Sequence, residues 1–150
     1  MDRQAYIELA EFRYRLRKFL HFSEEAAKGV GITPNQHQLL LAIAGFPDRS
    51  YITPTEAAER LQIKHHSCLG LIGRCEKLGL IRRFDNPDDG RSVYVALTEQ
   101  GETLLKRLTE MHQLELDRLG LTHRNFLQKD LSVFEGSTAS ASMRGDAEQS

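Results

Sequence analysis

Long hydrophobic runs are missing from this chain of 150 residues. None approaches the ~20 consecutive apolar residues that a membrane-spanning helix needs. The N-terminal stretch MDRQAYIELAEFRYR is charged throughout and lacks the apolar core of a signal peptide. Cysteine is scarce: Cys68 and Cys75 are the only two. They lie about two helical turns, ~10 Å, apart if helical, too far for a disulfide within one helix. These absences together predict a soluble, cytoplasmic protein in a reducing compartment. Neither sign of charge is in excess, with a formal net charge of −1, so the chain as a whole is no polycation. No internal repeat occurs.

What is present is unevenly placed. Residues 60–91 carry seven Lys/Arg against four acids, whereas residues 109–150 carry four against seven. A basic middle segment in a neutral protein points to a polyanionic partner for that segment. At 40% apolar residues, the chain has enough material for one domain with its own core.

Proline and glycine are also absent from about Gln4 to Lys28, which predicts one long helix stopped by Gly29 and Gly31. Its apolar residues, among them Tyr6, Ile7, Leu9, Phe12, Tyr14, Leu16, Phe19 and Leu20, fall on more than one face. A helix apolar on several sides is wedged between partners, and the simplest second partner is another copy of the chain. Two later helix starts share one device. Thr33-Pro34-Asn35-Gln36 and Thr53-Pro54-Thr55-Glu56 both match a capping box with proline in the first helical position. After a break at Gln62–Lys64, a helix that ends near Leu78-Gly79 completes a helix-turn-helix. Then LIRRF, the turn-rich DNPDDGR and SVYVALT read as a β-hairpin, with Val93, Val95 and Leu97 on one alternating face. Thr98 can cap a last long helix that Gly120 interrupts. A short amphipathic piece is expected in RNFLQKDLSVF, and the small polar tail GSTASASMRGDAEQS is expected to be disordered.

Placed on a helix at 100° per residue, Cys68, Leu71, Ile72 and Cys75 form one core-facing stripe. His66, Gly70, Gly73 and Lys77 fall opposite, with Ser67 and Arg74 at the edge. Each interior glycine costs roughly 1 kcal/mol relative to alanine and lets a surface approach the backbone. A face with His and Ser at its N-terminus and cations further along suits the major groove of DNA. The alternative is an ordinary solvated face. In the hairpin, Arg91 stands just after the Asp88-Asp89-Gly90 turn, where a guanidinium can enter a narrow minor groove; Asp89 is placed to pair with it. The alternative there is a charged turn without a partner.

Other chemistries fit less well. His65 and His66 point about 100° apart, and His65 with Cys68 lacks the further ligands a metal site needs, so no metal or other cofactor is expected. Cys68 lies on the core stripe without an orienting acid, so a Cys–His enzyme is not expected either. Both thiols read as buried and structural.

RCEKLGLIRR and NPDDGRSVYVALTEQG, within this order of elements, resemble the MarR family of winged-helix regulators over roughly residues 5–119. Asp89 and Arg91 match the family's wing turn; Leu97, Thr98 and Gly101 match its following helix start. The fold implied is mainly α with a small β-hairpin wing, a winged helix-turn-helix with long N- and C-terminal dimerisation helices. It divides the chain into an N-terminal dimerisation helix (1–31), a winged helix-turn-helix DNA-binding domain (32–98), C-terminal dimerisation helices (99–135) and the tail (136–150). The resemblance implies a homodimer on a pseudo-palindromic operator in double-stranded DNA, usually a repressor, released by a small aromatic or phenolic ligand.

The sequence departs from the family where Lys64 occupies the cap position and Leu69-Gly70 replace a polar pair. The operator sequence therefore does not carry over. Candidate DNA-binding residues are Lys64, His65, His66, Ser67, Arg74, Lys77, Asp89 and Arg91. Candidate ligand-binding residues are Arg13, Tyr14, Arg17, His21 and His37, whose arginines could hold a carboxylate; a solvated face is the alternative. Two other functions stay open: a thiol- or metal-responsive regulator through Cys68 and Cys75, and a winged-helix adaptor that binds protein rather than DNA.

Overall fold

A computed structural model describes residues 2–122. The expected piece in RNFLQKDLSVF and the tail over 136–150 lie outside the described residues. The elements are α1 (Arg3–Gly29), α2 (Pro34–Ala44), β1 (Tyr51–Ile52), α3 (Pro54–Leu61), α4 (His65–Lys77), β2 (Ile81–Asp85), β3 (Val93–Leu97) and α5 (Glu99–Arg118). This is the expected mainly helical architecture with a hairpin wing, plus one strand that the sequence did not reveal.

Both capping boxes form. Thr33 Oγ1 accepts from the Gln36 N–H at 3.1 Å, and the Gln36 side chain accepts from the Thr33 N–H at 2.9 Å. Thr53 and Glu56 repeat the same pair of distances. Each box satisfies donors that a helix start otherwise leaves orphaned. Glu56 also pairs with Arg49, so one carboxylate ties the start of α3 to the chain before β1.

The additional strand, β1, is two residues long, too short to show a period. It pairs with β3, giving the antiparallel order β1-β3-β2. That makes β3 the central strand and pairs both its edges. Val95 and Leu97 face the helices as expected, while Ala96 is buried as well. On the other face the rings of Tyr51, Phe84 and Tyr94 meet edge to face or tilted, with centroids 4.7 to 5.6 Å apart. Arg49 lies 5.4 Å from the Tyr51 ring centroid and 4.6 Å from that of Phe46.

Contacts divide the chain into two units. Leu20–His112 hold a core of Leu39, Leu40, Ile43, Ile52, Cys68, Ile72, Cys75, Val95 and Leu108. Ala26 and Ala27 from the end of α1 and Leu105 from the start of α5 join it. In the other unit, Arg15 pairs with Glu11 at 3.0 Å and its Nη1 donates to the Leu119 carbonyl at 3.5 Å. Gly120, at φ +69°, closes α5. Along α1, Tyr6, Ile7, Leu9, Phe12, Tyr14 and Leu20 are all exposed.

The junction between wing and α5 is closely packed at Gly101. The Thr98 N–H donates to the Leu80 carbonyl at 3.0 Å. Thr98 Oγ1 donates to the Gly79 carbonyl at 2.6 Å and accepts from the Gly101 N–H at 3.1 Å. A side chain at residue 101 would collide with the Leu80 carbonyl oxygen, which explains the glycine. Gly101→Ala should therefore cost about 1–3 kcal/mol through overpacking. Gly29→Ala, with open space around it, should be neutral or slightly stabilising. Urea unfolding midpoints check this; equal midpoints for the two variants would contradict it.

Candidate nucleic-acid interface

The face that α4 shows to solvent is set by the face it buries. Cys68, Leu71, Ile72 and Cys75 are buried, as their spacing predicted. His65, His66, Ser67, Gly70, Arg74 and Lys77 are exposed, and Gly73 is half-buried. The short α3 ends at Gln62, which adopts a left-handed conformation at φ 54°. That residue ends α3 and turns the chain into α4.

Lys64 occupies the N-cap and makes no side-chain cap hydrogen bond. Its side chain thus leaves the first-turn N–H groups of α4 uncapped, and such N–H groups favour an anion. Lys64, Ser67 and Arg74 come together around a cleft of about 520 Å³, which Asn35 and Gln62 also line. Asn35 was not singled out by sequence reasoning; it belongs to α2, and only the fold brings it beside α4.

Arginine side chains come near both glycines of α4. A Cβ at Gly70 would sit 3.3 Å from Arg74 Nη1, and one at Gly73 would sit 3.9 Å from Arg83 Nη2. Guanidinium groups lie over both positions. Arg83 was missed in the sequence because it resides on β2, seven residues beyond its ion-pair partner Glu76 at 3.1 Å.

At the wing tip, Asn86 Oδ1 accepts from the Asp88 N–H at 2.9 Å. Asp89 Oδ1 accepts from the Arg91 N–H, also at 2.9 Å. The expected pairing of Asp89 with the Arg91 side chain is replaced by this backbone contact. Asp89 shapes the turn, in the manner of an Asx-turn, and leaves the exposed Arg91 guanidinium free of an ion pair among the described residues.

The candidate ligand residues are differently placed. Arg13, Tyr14, Arg17 and His21 are exposed along α1. His37 is 3% exposed, its ring centroid 4.8 Å from that of His112. His112 contacts the Leu108 carbonyl through Nδ1 at 2.6 Å and the Ser23 hydroxyl through Nε2 at 2.9 Å. A ring whose Nδ1 donates to the carbonyl has Nε2 free to accept from the hydroxyl. Burial, reinforced by His112, lowers the His37 pKa to about 4.

Both thiols are free and buried. Burial pushes Cys68 upward, and pushes Cys75 to about 11 despite the neighbouring Arg74. A thiol, not a thiolate, is then present at neutral pH, which disfavours nucleophilic or redox chemistry. Among the described residues no group of three or more His, Cys, Asp or Glu could hold a metal.

Two outcomes follow. Because the folded state resists protonating His37 while the unfolded chain takes up that proton near pH 6.5, its stabilising effect is complete above 6.5. It should be lost as pH falls toward about 4, by up to about 3 kcal/mol. His37→Gln should flatten urea-derived stability over that window; a wild-type stability constant from pH 7.5 to 5 would contradict this. Cys68 and Cys75 should react with a thiol reagent at pH 8 only as fast as the chain unfolds, and rapid labelling of the folded protein would contradict that.

Residues 30–92 match the model of the MarR family. The HTH-type transcriptional regulator PapX of Escherichia coli is 30% identical over 71 residues, covering 47% of this chain and 43% of that protein. The chain thus matches less than half the length of that relative. Two solved structures share the fold. The NadR protein in complex with 4-hydroxyphenylacetate has a TM-score of 0.70 at 22% identity, covering 90% of this chain and 94% of that one. A mutant MarR from E. coli complexed with operator DNA has a TM-score of 0.64, also at 22% identity, covering 90% and 98%. Residues 30–92, fewer than half of the chain, thus resemble the MarR family, and the fold around them is shared with both solved structures.

Proposed function

We propose that this chain is a sequence-specific, double-stranded-DNA-binding transcriptional regulator that acts as a homodimer, represses from a pseudo-palindromic operator and responds to a small aromatic ligand. The observation that carries this reading is the outward stripe of α4, where His66, Gly70 and Lys77 are exposed and Gly73 half-buried while the opposite stripe is buried. In this reading His66 and Ser67 reach base edges, with His65 beside them. Lys64, Arg74 and Lys77 meet phosphates, and Arg91, its turn shaped by Asp89, reads minor-groove width. The MarR protein solved with operator DNA supports the partner, and the NadR complex supports the class of ligand.

The exposed apolar residues of α1 supply a surface for a second copy. Arg13, Tyr14, Arg17 and His21 are the accessible candidates for contact with the ligand, whereas His37 would act from beneath the surface.

If each subunit of a dimer neutralises ~4 phosphates, affinity falls roughly 10⁴-fold between 50 and 200 mM salt. Mobility-shift titrations on a fragment selected from random DNA measure this, and a flat salt profile overturns the reading. Arg91→Ala should weaken binding by about 1–3 kcal/mol; an unchanged dissociation constant removes the wing from the mechanism.

A further inference from the structure

The outward stripe of α4 has two margins. At 3.6 residues per turn, Ser67 and Arg74 border one of them, and Leu69 and Glu76 border the other. The first margin is cationic. The second, judged from α4 alone, carries an apolar residue and an acid. A helix seated in a major groove about 12 Å wide faces a phosphate strand on each side, and an acid on one margin would repel its strand.

The fold corrects that margin from outside the helix. Along β2, Ile81 and Arg83 share the face turned toward α4, because side chains alternate along a strand. Ile81 is 2% exposed and anchors the strand in the core. Arg83, one pleat further out, crosses to α4, where its Nε donates to Glu76 Oε2 at 3.1 Å. Its Nη2 lies 3.9 Å from the place a Cβ of Gly73 would occupy. Arg82 points to the opposite face, with its guanidinium carbon 5.0 Å from the Phe84 ring centroid. The Arg83 side chain stays 37% exposed after pairing. With Nε engaged, its two remaining nitrogens can donate outward in a fixed fork. An ion pair this exposed adds at most about 1 kcal/mol to stability, so its effect lies in where it holds the guanidinium.

We infer that Arg83 is a phosphate-binding residue of the DNA interface and that Glu76 is the residue that positions it. Arg74 then grips one strand beside the groove and Arg83 the other, each guanidinium lodged against a glycine of α4. This deepens the proposed function and rests on it.

Equilibrium binding of the full chain to its selected fragment, and to unrelated duplex, is measured across a salt series. Wild type, Arg83→Ala, Arg83→Lys, Glu76→Ala and the double variant Glu76→Ala/Arg83→Ala are compared. Arg83→Ala should make the slope of log K against log salt shallower by about 2 for a dimer, at ~0.9 per phosphate. Its affinity loss should be similar on both DNAs, as for a phosphate contact. Arg83→Lys should keep the slope and lose part of the affinity, since a point charge replaces the fork. Effects of Glu76→Ala and Arg83→Ala should be non-additive. An unchanged slope in Arg83→Ala overturns the phosphate contact; additive effects remove the positioning by Glu76. A wild-type chain with no salt-dependent binding overturns the proposed function itself, and this assignment falls with it.

Discussion

Burial of Cys68, Leu71, Ile72 and Cys75 is the constraint on which the rest depends. These four side chains, none more than 3% exposed, lock the rotation of α4 about its own axis. A rotation of 100° would bury a histidine or a cation and expose the core, at a cost of several kcal/mol. The orientation of the opposite stripe is therefore a consequence of the hydrophobic effect. No contact on the outer face is needed to set it.

The remainder of the scaffold fixes position. Thr53 and Glu56 set where α3 starts, and Gln62 sets the turn into α4. At the other end, Thr98 binds the carbonyls of Gly79 and Leu80, and Gly101 lets α5 close on the chain leaving α4. The wing thus has one end clamped beside the helix it accompanies, while its tip projects Arg91.

Much of this was legible in the sequence, because the signals were strong and local. Capping boxes at Thr33 and Thr53 depend on residues three apart, and the α4 stripe on a 3.6-residue period. What was not legible depends on contacts distant along the chain. The strand Tyr51–Ile52 is too short to show alternation and exists because β3 offers it an edge. Asp89 seemed a partner for the Arg91 side chain and instead holds the backbone of the turn, a choice between one residue's side chain and its N–H that composition cannot reveal. That Arg83 of β2 reaches the neighbourhood of Gly73 could not be read either, since strand and helix meet only in the fold. His37 could be placed near α1 from its position in α2, but its burial beside His112 could not, since 75 residues separate them.

The central claim, that the outer stripe of α4 rests in the major groove, is tested most directly by dimethyl sulfate footprinting of a bound operator fragment. Guanine N7 faces the major groove and adenine N3 the minor groove. The account predicts protection of guanine N7 in two patches about one helical turn, ~10 bp, apart. Bound DNA whose major-groove guanines all stay as reactive as in free duplex would contradict it.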